Sequence, residues 1–230
     1  MNFIVIEGLD GAGKSTQIKL LRKYFSDHGH GSEYLHFPRT DSPYFGHLIS
    51  RFLRGEFGSI NDVDPYLVAM LYAGDRKDAA EMISRWLKQG KMVILDRYTY
   101  SNIAYQCAKL DNPEERENLK KWILELEFRH FGIPQPDINI FLDVPFMFTQ
   151  KKLSKARNGN DRNYLNGLSD IHESSLDFQG RVRDIYQEVA CSDRKLRVID
   201  CSDKSGGMLP PGDIFILILE LLRKIKLMPI

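Results

Sequence analysis

Residues 3–16, Phe3-Ile4-Val5-Ile6-Glu7-Gly8-Leu9-Asp10-Gly11-Ala12-Gly13-Lys14-Ser15-Thr16, constrain the fold more than any other stretch of the chain. A β-branched apolar run breaks into a glycine-rich loop that ends in Gly-Lys-Ser-Thr. Gly8, Gly13, Lys14 and Ser15 fit G-x-x-x-x-G-K-[ST], the phosphate-binding P-loop. Such a loop needs a strand behind it and a helix N-terminus in front of it, because backbone N–H groups and the helix dipole converge on one anion. Lys14 adds a mobile point charge for the β- and γ-phosphates, and the Ser15 hydroxyl is placed to ligate Mg²⁺. Gly8, Asp10, Gly11, Ala12, Gly13, Lys14, Ser15 and Thr16 are the candidate cradle for a nucleoside triphosphate.

The chain then alternates strands with helices. Ile18, Leu21 and Phe25 repeat at helical spacing. Ser32 to Phe37 reads as a strand ended by Pro38, Phe45 to Leu53 as an amphipathic stretch, and Pro65 to about Lys88 as a long helix. Met92 to Leu95 is a short apolar run of the kind a buried parallel strand shows. Asn112-Pro113-Glu114-Glu115 opens a helix that carries Leu119, Trp122, Ile123, Leu126 and Phe131. Further on, Ile138 to Asp143 reads as a strand, Phe146 to about Ala156 and Ser169 to about Ala190 as helices, Leu196 to Asp200 as a strand, and Ile214 to Lys226 as the last helix. This order predicts an α/β fold of the P-loop NTPase kind: three α/β/α layers around a five-stranded parallel sheet. One domain, residues 1–230, with a short lid at about 150–168, is the simplest reading. Ligands of such sheets lie outside the carboxyl ends of the strands. That edge collects the P-loop, Phe37 to Arg39, Asp96 to Tyr98, Asp143 and Asp200 to Ser202, the last being the candidate adenine wall.

Composition narrows the setting. A net charge of +1 over 230 residues gives no field that draws the whole protein onto nucleic acid, so a phosphate ligand is held by local groups. Cys107, Cys191 and Cys201 show no C-x-x-C spacing, which fits a reducing compartment. The first strand leaves no room for a signal peptide, and the apolar run Ile214 to Leu222 is too short to span a bilayer and contains Glu220. The expected setting is the cytoplasm, without nucleic-acid or membrane partners.

Val93-Ile94-Leu95-Asp96 has the pattern of a second P-loop strand, with an acid at its carboxyl end that holds Mg²⁺. P-loop motors follow this acid with a glutamate that activates water; here Arg97 follows, which points to a second anion. With the stretch Asp96-Arg97-Tyr98-x-x-Ser101-Asn102-x-Ala104-Tyr105, the P-loop with its Asp10, the Phe37-Pro38-Arg39 turn and Tyr72-x-x-Asp75-Arg76, the chain resembles thymidylate kinases, which phosphorylate dTMP with ATP. The order and spacing follow that family from residue 3 to about residue 201.

The resemblance implies roles. Arg39 and Arg97 would clamp the acceptor phosphate, Arg97 and Lys14 being catalytic as well. Arg76 would reach the thymine carbonyl edge with Tyr72 stacking on the ring, while Ser101 and Asn102 would hydrogen-bond the base. Phe37 belongs to the same substrate site. Tyr105 would pack under the sugar, Asp10 would accept from its 3′-hydroxyl, and Tyr164 matches a lid tyrosine. Ser15 and Asp96 would hold Mg²⁺. Some members place an arginine directly after the P-loop aspartate; here that position is Gly11, and the lid is basic instead, with Lys151, Lys152, Lys155, Arg157 and Arg162. Either Arg157 or Arg162 is then the arginine finger. Leu165 stands where family lids often carry a glutamate, whose contact would come from Asp161 or Asp170 if from anywhere. A homodimer joined through the Pro65–Lys88 and Asn112–Phe131 helices is implied too. The rival readings are a kinase for another deoxynucleotide or a deoxynucleoside, and a P-loop nucleotide-binding protein that transfers nothing.

Overall fold

The computed structural model describes residues 2–148, 164–165, 170–172, 175–225 and 227. Its elements in chain order are β1 (Phe3–Glu7), α1 (Lys14–Asp27), β2 (Ser32–His36), α2 (Phe45–Leu53), α3 (Pro65–Lys88), β3 (Met92–Asp96), α4 (Thr99–Cys107), α5 (Pro113–Leu124), β4 (Ile138–Asp143), α6 (Leu176–Ser192), β5 (Leu196–Asp200) and α7 (Pro211–Lys224). A π-helical turn, Glu125–His130, continues α5. All strand pairs are parallel, and the order across the sheet is β2-β3-β1-β4-β5. The expected three-layer α/β architecture is the observed one.

The continuous apolar run of β1 follows from burial on both faces. Ile4 and Ile6 join the core built with Ile18, Leu21 and Phe25 of α1 and Ile214, Ile218 and Leu222 of α7. Phe3 and Val5 point the other way, into the cluster with Ala79 and Ile83 of α3. Ile4, Val5 and Ile6 are each 0% exposed, and burial of each such side chain stabilises by roughly 1.5–3 kcal/mol. β1 is central, flanked by β3 and β4, so the chain reverses its order across the sheet beside the P-loop. That switch point is where an open parallel sheet leaves a crevice.

Some boundaries differ from expectation for local reasons. The helix expected from Ser169 starts at Leu176, with the Ser175 hydroxyl accepting from the Phe178 N–H at 3.2 Å. Upstream, Asp170 Oδ1 accepts the His172 N–H at 2.8 Å, an Asx turn that competes with helix, and the Ile171 N–H reaches across to the Leu53 carbonyl. The last helix begins at Pro211 rather than Ile214, because a proline at the first position costs no hydrogen bond. Helix α4 was not expected, and the helix expected from Phe146 to about Ala156 lies mostly outside the described residues.

Close packing brings α2 onto the turn after β2. A Cβ at Gly46 would stand 2.0 Å from the Arg39 carbonyl oxygen. Gly46→Ala therefore has to move backbone, and is expected to destabilise by roughly 1–3 kcal/mol. Thermal unfolding checks this; an unchanged melting temperature would contradict it.

Candidate active site

The P-loop bends back between β1 and α1 through left-handed glycines. Gly11 has φ 78° and Gly13 φ 82°, a region that side chains rarely adopt. The position directly after Asp10 is thus left-handed, and glycine fits it. The Thr16 and Gln17 N–H groups already bond the Gly13 carbonyl, which fixes the start of α1. Ser15 and Thr16 are exposed at that terminus. Lys14 Nζ lies over the loop, donating to the Leu9 carbonyl at 3.1 Å and the Gly8 carbonyl at 3.3 Å, and is 3.9 Å from Asp96 Oδ1. Burial, together with Arg97, lowers the Lys14 pKa from its usual range. Burial works against the Asp96 charge, yet Lys14 and His36 more than offset it, so the carboxyl sits below the usual carboxylate range. Its Oδ1 is buried without a hydrogen-bond partner.

β3 delivers Asp96 and then Arg97, whose φ of 67° is left-handed, a strained setting for a long side chain that concentrates at functional sites. The turn is held from both sides. The Arg97 N–H bonds the Ile6 carbonyl. Fully buried Glu7, at the end of β1, accepts from the N–H groups of Tyr98 and Ser101 and so caps α4 with negative charge. Burial raises the Glu7 pKa, and hydrogen bonds from Ser101 and Tyr186 partly counter this. The Arg97 guanidinium donates to Asp10 Oδ1 at 2.9 Å, the Tyr105 hydroxyl at 3.1 Å and Ser101 Oγ at 3.2 Å. Tyr105 in turn donates to Asp10 Oδ2 at 3.0 Å. Asp10 of the P-loop and Arg97 of β3 are thereby one unit. The Ser101 hydroxyl is engaged by Glu7, Tyr186 and Arg97, so it braces Arg97 as well as lining the cleft.

Asp75 and Arg76, neighbours on α3, face opposite ways. Fully buried Asp75 takes the Arg39 N–H at 2.8 Å and the Arg39 Nε at 2.9 Å, and Arg39 Nη2 reaches Asp78 at 2.6 Å. Arg76 makes a two-pronged pair with Glu127, at 2.6 Å for both bonds. Glu127 also accepts from Thr99 and from Asn102 Nδ2. Phe37, in the wall, packs against Tyr98 with ring centroids 5.7 Å apart.

These side chains form a cleft lined by Asp10, Phe37, Tyr72, Arg76, Arg97, Ser101, Asn102, Tyr105 and Tyr164. A second, adjoining groove runs along Asp10 to Ser15 and past Arg39 and Asp96. Of the residues expected from sequence, Gly8, Thr16 and Asp200 to Ser202 line neither cavity, and Arg157 and Arg162 lie outside the described residues. Lys151, Lys152, Lys155 and Asp161 lie outside them too. Asp170 does reach the cleft and accepts from the Tyr164 hydroxyl at 2.9 Å. Asp143 is paired with Arg183 and Gln187.

Sequence reasoning missed Glu7, Gln106, Glu127 and His172. His172 lines the cleft, 4.9 Å from the Tyr105 ring and 5.8 Å from the Phe178 ring, with Nε2 unpartnered. Burial, with Lys109 nearby, pushes its pKa down to about 3. An unfolded imidazole titrates near 6.5. Between these values the unfolded chain binds a proton that the folded chain refuses. The stabilisation is therefore complete above about pH 6.5 and lost on acidification, by at most about 1.4 kcal/mol per pH unit. His172→Gln is expected to flatten the acid limb of stability in urea titrations from pH 7 to pH 4; equal slopes for both proteins would contradict this.

Fold and site together define a P-loop phosphotransferase: a triphosphate cradle abuts a cleft, and Asp10, the partner of Arg97, lines both. A family model described as thymidylate kinase matches residues 6–206. Among similar proteins, a probable thymidylate kinase of Thermococcus onnurineus (strain NA1) is 35% identical over 204 residues, covering 86% of this chain and 88% of that one. The thymidylate kinase of Mycobacterium tuberculosis (strain H37Rv) is 32% identical over 187 residues, covering 81% and 85%. The solved structure of thymidylate kinase from Candida albicans superposes with a TM-score of 0.69 at 26% identity, covering 98% of this chain and 92% of that one. The chain belongs to the thymidylate kinase family.

Proposed function

We propose that the chain performs its family's reaction, ATP-dependent phosphorylation of dTMP to dTDP, with the donor on the P-loop, the acceptor in the cleft and Arg97 between them. The observation that carries this reading is the Arg97–Asp10 contact at 2.9 Å, which joins the triphosphate loop to the wall of the second site. A switch or a simple nucleotide binder has no use for a second anion site.

In this reading Arg39 and Arg97 clamp the 5′-phosphate, and their pairing with Asp75, Asp78 and Asp10 sets the forks in advance. Tyr105 packs under the sugar and disfavours a 2′-hydroxyl. Asp10 retains acceptor capacity for the 3′-hydroxyl, since a carboxylate offers about four lone-pair sites. Tyr72 and Phe37 flank the base, with Ser101 and Tyr164 beside it. Arg76 donates to O4, and the unpartnered Asn102 Oδ1 accepts from N3–H. A phosphate monoester has a second pKa of about 6, so the acceptor needs no strong general base. One of its oxygens forms a bond to the γ-phosphorus while the bond from that phosphorus to the β–γ bridging oxygen breaks, and ADP leaves. Lys14 follows the charge on the phosphoryl oxygens.

Ser15 and Asp96 would hold Mg²⁺. The fit rests on Asp96 Oδ1, a buried carboxylate oxygen without a hydrogen-bond partner, which is the hard donor such an ion takes. When bound, the ion neutralises phosphate charge. Arg157 or Arg162 supplies the arginine finger from the lid, at about residues 150–168 of one kinase domain spanning 1–230. Exposed Leu67 and Met70 on α3 support a homodimer through that helix. No described helix is long and apolar enough to cross a membrane, and the three cysteines are free, which supports a cytoplasmic setting. Phosphorus NMR of dTMP, ATP and Mg²⁺ with the protein is expected to show dTDP and ADP appearing together. ATP cleavage without dTDP would overturn the reading.

A further inference from the structure

Glu127 sits where helix α5 widens into a π-helical turn, a distortion that often re-aims a side chain at a functional site. It is 0% exposed and saturated with donors. Oε2 accepts from Arg76 Nε at 2.6 Å and Thr99 Oγ1 at 2.8 Å; Oε1 accepts from Arg76 Nη2 at 2.6 Å and Asn102 Nδ2 at 3.0 Å. Asn102 Nδ2 donates in addition to the Ala69 carbonyl at 3.0 Å. Both partners of Nδ2 can only accept, so the amide has one allowed orientation. Its Oδ1 is then the atom left without a partner, on a residue that lines the cleft. Arg76 lines the same cleft and can only donate.

We propose that Glu127 is a positioning residue that sets the hydrogen-bond polarity with which the cleft reads a pyrimidine: a donor from Arg76 beside an acceptor from Asn102. The proposal rests on the reading above, in which those two side chains meet the base. A thymine edge offers an acceptor at O4 and a donor at N3–H, which matches. A 5-methylcytosine edge offers a donor at N4 and an acceptor at N3, so both contacts reverse. Each reversed contact leaves a buried polar group unpaired, which is costlier than a contact merely lost.

The test compares kcat/KM for dTMP and for 5-methyl-dCMP in the full-length protein and in Glu127→Gln. The variant keeps the shape, but its amide NH₂ now faces donors, so the Arg76 fork and the Asn102 amide are no longer both held. The ratio of the two specificities is expected to fall by on the order of 10-fold, chiefly through a raised KM for dTMP, with kcat for dTMP within a few-fold. A purely structural role would lower both substrates alike, and an unchanged ratio overturns the proposal. Asn102→Ala separates this from the underlying reading. If Asn102→Ala also leaves the ratio unchanged, the base-reading assignment itself is wrong; if it collapses the ratio while Glu127→Gln does not, only the role of Glu127 is wrong. Should Glu127→Gln not fold, nitrogen-15 NMR of the wild-type protein decides. The Asn102 side-chain amide protons are expected to be protected from exchange before dTMP is added, and protection that appears only with dTMP would overturn the proposal.

Discussion

Arg97→Ala is expected to lower kcat/KM for dTMP by on the order of 10²–10³ while leaving a folded protein, the scale seen when one preorganised charge-stabilising group is removed. Arg97 is the residue on which the two halves of the site converge. It touches Asp10 of the P-loop, Tyr105 under the proposed sugar position and Ser101 of the Glu7-capped helix. Removing it deletes the charge proposed to meet the acceptor phosphate and takes away the donor shared by Asp10 and Tyr105. Alanine would keep the left-handed backbone at this position, which the bond from its N–H to the Ile6 carbonyl dictates. Arg97→Lys restores the charge but not the fork, so it is expected to recover only part of the loss. Circular dichroism and steady-state kinetics on both variants check this; dTMP phosphorylation by Arg97→Ala within a few-fold of wild type would show that Arg97 is not the clamp.

Lys14→Met is expected to cost a similar factor, on the order of 10²–10³, and to do so on the donor side. Lys14 Nζ is buried, held over the loop by the Gly8 and Leu9 carbonyls and close to Asp96. Methionine conserves length and apolar stem but offers no charge to the β- and γ-phosphates. The loss is expected to be shared by every acceptor, in contrast to the Glu127→Gln effect, which differs between bases. A Lys14→Met protein with near-normal turnover would remove the P-loop from the chemistry.

How much of this was legible beforehand depended on whether the partners of a residue are near it in the chain. The P-loop and Asp96-Arg97-Tyr98 carry their geometry in short spacings, because a strand, a glycine turn and a helix start are local events. Both lie at carboxyl ends of strands, so the parallel topology brings them together without further information. Arg39 and Arg76 were found as cations, but the partners that aim them were not. Asp75 stands beside Arg76 in the sequence and serves Arg39 instead, 36 residues away. Glu127 left a trace: Leu119, Ile123, Glu127 and Phe131 follow one another at i, i+4 spacing, so a carboxylate interrupts an apolar stripe. Such an interruption needs buried donors, and Arg76 supplies two of them. His172 left none, since its burial depends on Phe52, Tyr105 and Phe178 from three other elements. The Asx turn at Asp170 broke a helix that apolar spacing alone would have carried through.

The cleft beside the P-loop is proposed to take dTMP as phosphoryl acceptor. A coupled assay with ATP and Mg²⁺ over dTMP, dUMP, dCMP, dGMP and thymidine tests it most directly. The expected result is a kcat/KM for dTMP above all the others, with dTDP as the product; a clear preference for dUMP, dCMP or thymidine would contradict it.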